Sequence, residues 1–425
     1  MTADASTQAA HRAIEAVWRL ESARIIAGLA GLVRDVGLAE ELAQDALVAA
    51  LEQWPAQGIP ANPGGWLMLT AKHRAIDRIR RSERLSQKLS LLARDLETEG
   101  QSAPAEFDAV GDEEKIGDDL LRLIFVSCHP VLSTEARIAL TLRLLGGLTT
   151  EEIARGFVAA EPTIAKRIVR AKRTLSSKQV PFEAPPPAER PARLASVLEV
   201  LYLVFNEGYS AMAGDDWMRP ALCGEALRLG RVLAELMPAE PEVHGLAALM
   251  EIQASRIQAR LSPAGLPVPL LEQNRGRWDQ LLIRRGFTAL LRAERLGGPP
   301  GPYVLQAAIA ACHARAHAAA ETDWARIAAL YQALAVLTPS PIVELNRAVA
   351  VAMAFGPERG LDIVDRLAAE PSLAHYHHLP SVRGDLLARL GRHAEAAGEF
   401  RRAASLTRNI PERTVLLQRA ASHGG

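Results

Sequence analysis

The sequence predicts an all-α protein, and three observations carry that prediction. Alanine, leucine and arginine dominate, while aromatic residues make up 4% of the chain. No segment alternates β-branched residues in the two-residue period of a strand. Apolar residues recur three and four positions apart, in stretches bounded by proline, glycine or a capping residue. The 425 residues suffice for two or three domains with substantial cores. Net charge is zero, which hides strong local asymmetry.

The first element is an amphipathic helix opening with MTADASTQAAHRAIEAVW. Residues 38–54, LAEELAQDALVAALEQW, form the next. Leu42, Ala46, Ala49 and Ala50 line one side, while Glu40, Glu41, Asp45 and Glu52 make an acidic face without a single base. The helix after it has the opposite sign. In NPGGWLMLTAKHRAIDRIRR (62–81), Asn62 can cap and Pro63 can open the helix. Trp66, Leu67, Leu69 and Ile76 supply apolar surface, and Lys72, Arg74, Arg78, Arg80 and Arg81 face the single acid Asp77. Such a pair can hold a basic protein surface and a phosphate backbone at once. Residues 95–119 then carry ten carboxylates against Lys115, and read as a flexible acidic linker.

Residues 149–178 are predicted to form a short helix, a tight turn and a strongly basic second helix. Thr149 or Thr150 can cap the first, with Glu151 and Glu152 in its opening turn. Val158, Ala159 and Ala160 are too few for anything but a turn. Pro162 sits where a helix tolerates proline. Ile164, Ile168, Ala171 and Leu175 fall at spacings of four, three and four, a buried stripe. Lys166, Arg167, Arg170, Lys172, Arg173 and Lys178 leave the rest of the helix almost wholly cationic. A cationic helix braced by a partner helix is the geometry of a DNA-reading helix-turn-helix.

PFEAPPPAERP (181–191) reads as a stiff linker before a C-terminal half beginning near Ala192. Breaks at 261–270 and 296–303 divide that half. Near its end a weak repeat appears at an offset of 36 residues. Ala348, Val351, Gly360, Val364 and Leu367 align with Gly384, Leu387, Ala396, Phe400 and Ala403. Small residues at these places let paired helices pack closely, as in tetratricopeptide repeats. Pro411 comes later than that consensus proline, and Arg408 takes its place.

The stretches AEELAQDALVAALEQW and WLMLTAKHRAIDRIRR together resemble region 2 of an extracytoplasmic-function (ECF) RNA polymerase sigma factor. LSTEARIALTLRLLGGLTTEEIARGFVAAEPTIAKRIVRAKRTL resembles region 4 of the same sigma-70 family. LYLVFNEGYSA and LLEQNRGRWDQLLIRRGF resemble the subgroup with a fused C-terminal tetratricopeptide-like extension. The resemblance implies region 2 over 1–85, an acidic linker over 86–117, region 4 over 118–180 and a proline-rich linker over 181–191. A helical domain over 192–300 and helical repeats over 301–425 would follow. Glu41, Gln44 and Asp45 would dock on the β′ coiled coil of core RNA polymerase, and region 4 on its β flap. Trp66, Lys72, His73, Arg74, Asp77, Arg78 and Arg81 would serve the promoter −10 element. Thr163, Lys166, Arg167, Arg170, Lys172 and Arg173 would serve the −35 element, since arginine and lysine suit guanine edges and phosphates. The C-terminal half would bind a protein partner or contact the sigma regions. Two DNA-facing departures bear on promoter sequence. His73 stands where many relatives have asparagine, and Thr163-Ile164-Ala165-Lys166-Arg167 replaces the commoner Thr-Val-Lys-Ser-Arg.

No apolar run reaches transmembrane length, and no signal peptide is evident; Cys128, Cys223 and Cys312 are too scattered for a disulfide framework or a zinc motif. A cytoplasmic protein that is not an enzyme is expected, with no membrane partner, cofactor or metal. His375, Tyr376, His377 and His378 are discounted as a metal set because neighbouring helical positions diverge; only a loop could converge them. Cys128 and His129 read as core. Asn206 and Glu207, and likewise Arg275, Arg277, Trp278 and Asp279, read as helix-bridging groups. The competing reading is a stand-alone helix-turn-helix regulator with a helical-repeat sensor. The acidic docking helix argues against it.

Overall fold

The computed structural model describes residues 2–93, 113–157, 159–209, 218–263 and 265–423. Among these are eighteen α-helices and five short 3₁₀ turns. No strand occurs among them, only an isolated antiparallel bridge between Leu261 and Pro267. None of their helices is long and apolar enough to cross a membrane. The chain divides into two compact units, Met1–Val200 and Leu201–Gly425.

The first unit contains α1 (Thr2–Val33), α2 (Val36–Gln57), α3 (Pro63–Ala93), α4 (Glu113–Ser127), α5 (Thr134–Leu144), α6 (Thr150–Gly156) and α7 (Glu161–Ser177). Helices α1, α2 and α3 pack on one another, and α1 also packs on α4. The starts follow local chemistry. Asp35 accepts from the Leu38 N–H at 2.8 Å, and Asn62 accepts from the Gly65 N–H at 2.9 Å, each capping a helix. No glycine or proline follows Gly65 before Ala93, so α3 runs beyond position 85. Helix α4 likewise begins at Glu113, so both ends of the segment read as a linker are helical. The remainder of that acidic segment, 94–112, lies outside the described residues.

Helix α8 (Arg190–Tyr209) opens in the proline-rich stretch. The division between the two compact units falls inside it, at 200/201. The reason lies in long-range bonds from its first half. Arg193 donates to the Phe125 carbonyl at 2.9 Å, and the Ser196 hydroxyl to the Cys128 carbonyl at 2.6 Å. Arg137 of α5 bonds both Ser196 and Glu199. The end of α4 and the start of α8 thereby fold as one piece.

The second unit contains the rest of α8, α9 (Pro220–Leu236), α10 (Pro241–Ala254), α11 (Gln280–Leu296), α12 (Pro302–Arg315), α13 (Trp324–Leu337), α14 (Pro341–Phe355), α15 (Pro357–Leu367), α16 (His378–Arg389), α17 (His393–Leu406) and α18 (Ile410–Ser422). Helix α10 is buried along nearly its whole length, between α9, α11 and α12. From α13 onward each helix packs on the next. The 36-residue repeat matches this succession: its first copy falls on α14 and α15, its second on α16 and α17. The small residues have a steric reason. A Cβ on Gly360 would stand 2.5 Å from that of Ala352, and one on Gly384 would stand 2.8 Å from the Phe400 ring. Pro411 opens α18, where it costs no hydrogen bond.

Candidate nucleic-acid interface

Helices α6 and α7 form the expected helix-turn-helix pair. Thr149 is the residue that caps α6, and Glu152 reciprocates by accepting from the Thr149 N–H at 2.8 Å, a complete capping box. Helix α7 starts from Ala160 without a side-chain cap and carries Pro162 in its first turn. Its buried residues are Ile164, Ile168, Ala171 and Leu175, the four that the spacing predicts. They pack α7 against α5 and α6. Thr163, Lys166, Arg170 and Arg173 are exposed on the other side, and Arg167 is half-buried. Val169, 46% exposed, interrupts the cations with an apolar side chain.

Lys172 departs from this group. Its ammonium pairs with Glu40 of α2, and its side chain is only 23% exposed. The same carboxylate accepts from the Arg143 guanidinium at 2.7 Å and from the Gln44 amide at 2.7 Å. Glu40 therefore does not belong to a solvated acidic face, as its neighbours suggested; it is 3% exposed. It lies between buried Val36, Ala39, Ala43 and Ala46, so helical periodicity turns it inward. Two cations from α5 and α7 converge on it and neutralise the buried charge. Arg19 of α1 and Glu152 of α6, 2.8 Å apart, add a second link of the same kind.

The outward face of α2 carries Glu41, Gln44, Asp45 and Val48 at spacings of three, one and three. Glu41 and Asp45 are exposed, Gln44 is half-buried and Val48 is 50% exposed. On α3, Arg74, Asp77, Arg78 and Arg81 share one face, with the last three exposed. His73 is exposed and Lys72 half-buried. Arg74 reaches to 3.8 Å from Asp45, joining the basic helix to the acidic one at the surface. An exposed pair at that distance contributes well under 1 kcal/mol. Trp66 is held inward by edge-to-face contact with buried Trp54, their ring centroids 5.5 Å apart. Leu69, one of the residues expected to supply apolar surface on α3, is 54% exposed.

Residues 20–85 match the family Sigma-70 region 2, and residues 122–175 match the family Sigma-70, region 4. The ECF RNA polymerase sigma factor SigK of Mycobacterium ulcerans (strain Agy99) is 29% identical over 156 residues, covering 36% of this chain and 78% of that protein. SigK of Mycobacterium sp. (strain KMS) is 29% identical over 160 residues, 37% of this chain and 77% of its own. This chain belongs to the ECF sigma factors of the sigma-70 family. As such a sigma factor it binds core RNA polymerase and promoter DNA and directs the polymerase in transcription initiation. Residues 193–294 match a family of unknown function, DUF6596. An uncharacterized protein of Rhizobium meliloti (strain 1021) is 43% identical over 379 residues, 89% of this chain and 88% of that one, so the likeness extends far beyond the sigma regions. Yeast Tom70 superposes with a TM-score of 0.30 at 12% identity, covering 98% of this chain and 84% of that one, too low to carry an argument.

Elsewhere in the sigma factor, the groups read as structural have structural partners. Cys128 is buried beside the Thr141 hydroxyl, and burial pushes its thiol up to about 11, far from a reactive thiolate. Its neighbour His129 is half-buried. Glu207 of α8 pairs with Arg219, next to α9. Arg275 lies over the Trp278 ring at 5.0 Å and donates to the carbonyls of His313 and Ala316. Asp279 caps α11. The histidine run behaves differently. His377 and His378 stand at the junction that opens α16 and meet Glu412, which sits 35 positions downstream. The divergence of neighbouring helical positions does not apply there, because His377 precedes the helix.

Proposed function

We propose that this sigma factor directs polymerase to promoters with −35 and −10 elements through three separate faces. The exposed side of α7 reads the −35 element in the major groove, with Thr163, Lys166, Arg167, Arg170 and Arg173 toward the DNA. The basic face of α3, with Arg74, Asp77, Arg78 and Arg81, follows the −10 element, and exposed Leu69 and His73 offer surface for an unstacked base. Glu41, Gln44 and Asp45 on α2 dock on the β′ coiled coil, and region 4 contacts the β flap. The C-terminal unit serves as a regulatory or partner-binding platform, and the protein acts in the cytoplasm without chemistry of its own. The observation that supports this reading best is the division of α7 into a fully buried apolar stripe and an exposed cationic face.

The double variant Arg167→Ala/Arg170→Ala tests it. Neither side chain belongs to the buried stripe, so the fold should hold. Initiation from a promoter with a −35 element is expected to fall. The slope of log affinity against log salt should shrink by about 2, from two lost phosphate-neutralising charges. Unaltered affinity and salt slope would place the −35 surface elsewhere.

A further inference from the structure

Outside the sigma regions, the most chemically distinctive cluster joins α16 to α18. His377 is the N-cap residue of α16 and His378 its first residue. Glu412 sits in the first turn of α18. His377 Nε2 lies 3.0 Å from Glu412 Oε1. One ligand atom from each of His377, His378 and Glu412 falls within 4.8 Å of the others. The two imidazole rings are adjacent, with centroids 4.0 Å apart and planes tilted by 43°.

This convergence has the dimensions of a metal centre. Ligand atoms about 2.0–2.1 Å from a tetrahedral ion stand about 3.3 Å from one another. His377 and Glu412 already stand 3.0 Å apart and no pair of the three ligand atoms exceeds 4.8 Å, so the set lies close to that spacing. The carboxylate is already oriented from behind: its second oxygen accepts from the Thr407 hydroxyl at 2.6 Å. The Glu412 N–H donates to Asn409 Oδ1 at 3.1 Å, which holds the turn. Such outer partners are what a metal-binding carboxylate needs. His377 and Glu412 are about three-quarters buried, and His378 is exposed, so the set opens to solvent on one side.

We propose that His377, His378 and Glu412 bind one transition-metal dication of the zinc class, through two imidazole nitrogens and one carboxylate oxygen. Two nitrogen donors select this class over calcium or magnesium, which take oxygen ligands. Three protein ligands leave a coordination position for water or another donor. The ion would tie the start of α16 to the start of α18, both of which pack on α17. Binding to the folded form alone would stabilise this end of the C-terminal unit by mass action.

The test uses the full chain, stripped with a chelator and titrated with Zn²⁺ by calorimetry and with Co²⁺ by visible absorption. One equivalent of each ion is expected, with a rise in Tm and Co²⁺ bands of low-symmetry tetrahedral or five-coordinate form. Glu412→Gln keeps a side chain that can still meet Thr407, and His378→Ala removes an exposed ring. Each should weaken binding at least about tenfold, since even outer-shell losses cost that much. His393 and His423, whose Nδ1 atoms are 3.1 Å apart, provide the control. Binding that survives both variants but is lost in His393→Ala would move the ion to that pair and overturn the assignment. No saturable binding by the unaltered chain would overturn it outright.

Discussion

Replacing Glu40 by alanine is expected to destabilise the N-terminal unit by about 3 kcal/mol. The carboxylate is 3% exposed and holds Arg143 and Lys172 from two other helices. Deleting it leaves two half-buried cations facing each other without a counter-charge, and removes the acceptor of the Gln44 amide. Glu40→Gln restores the volume but not the charge, so it should recover only part of the loss. Asp45→Ala serves as the contrast. Asp45 is exposed and its partner Arg74 is 3.8 Å away, so its loss should cost under 1 kcal/mol. Hydrogen exchange resolved by peptide is the suitable readout, because two units need not unfold together. Faster exchange should appear in α2, α5 and α7 in Glu40→Ala and be absent in Asp45→Ala. Equal protection in both would deny Glu40 its organising role.

The second large effect is acid destabilisation of the C-terminal unit through His313. Its ring is buried edge-on to Trp324, with centroids 5.1 Å apart. Burial pushes its pKa from 6.5 down to about 3, and the nearby Arg256 and Arg275 charges push the same way. The unfolded chain therefore binds a proton below pH 6.5 that the folded chain refuses. Stability is fully present above pH 6.5, declines as pH falls through that window, and levels off below about pH 3. At about 1.4 kcal/mol per pH unit, the loss reaches roughly 2–3 kcal/mol two units below the unfolded value. His313→Phe keeps an aromatic ring against Trp324 and removes the proton site. Subtracting its urea-unfolding profile from that of the unaltered chain isolates the contribution from other titrating groups. A difference that stays flat between pH 6.5 and 4 would contradict the assignment.

The sequence alone reveals what local physics decides. The stripe of Ile164, Ile168, Ala171 and Leu175, the cap at Asn62 and the small residues of the 36-residue repeat all follow from spacing or from one turn of chain. Contacts between distant segments were not legible. Glu40 looked like one more solvated acid, although the buried positions around it gave a periodic signal that it turns inward. Its partners, 103 and 132 positions away, could not be named from sequence. The proline-rich stretch read as a boundary because proline stiffens chain locally. The bonds from Arg193 and Ser196 back to the end of α4, which tie the start of α8 to the first unit, gave no local signal. The histidine run looked like diverging helical positions, and only the fold brings Glu412 to it.

The acidic face of α2 is proposed to seat this sigma factor on core RNA polymerase. The most direct test is competition between the full chain and a labelled housekeeping sigma factor for bacterial core enzyme. Displacement of the label by the unaltered chain is expected, weakened at least about tenfold in Glu41→Lys/Asp45→Lys, whose exposed positions leave the fold intact. Equal displacement by the variant would contradict the assignment of that face, and no displacement by either chain would contradict docking at a shared site.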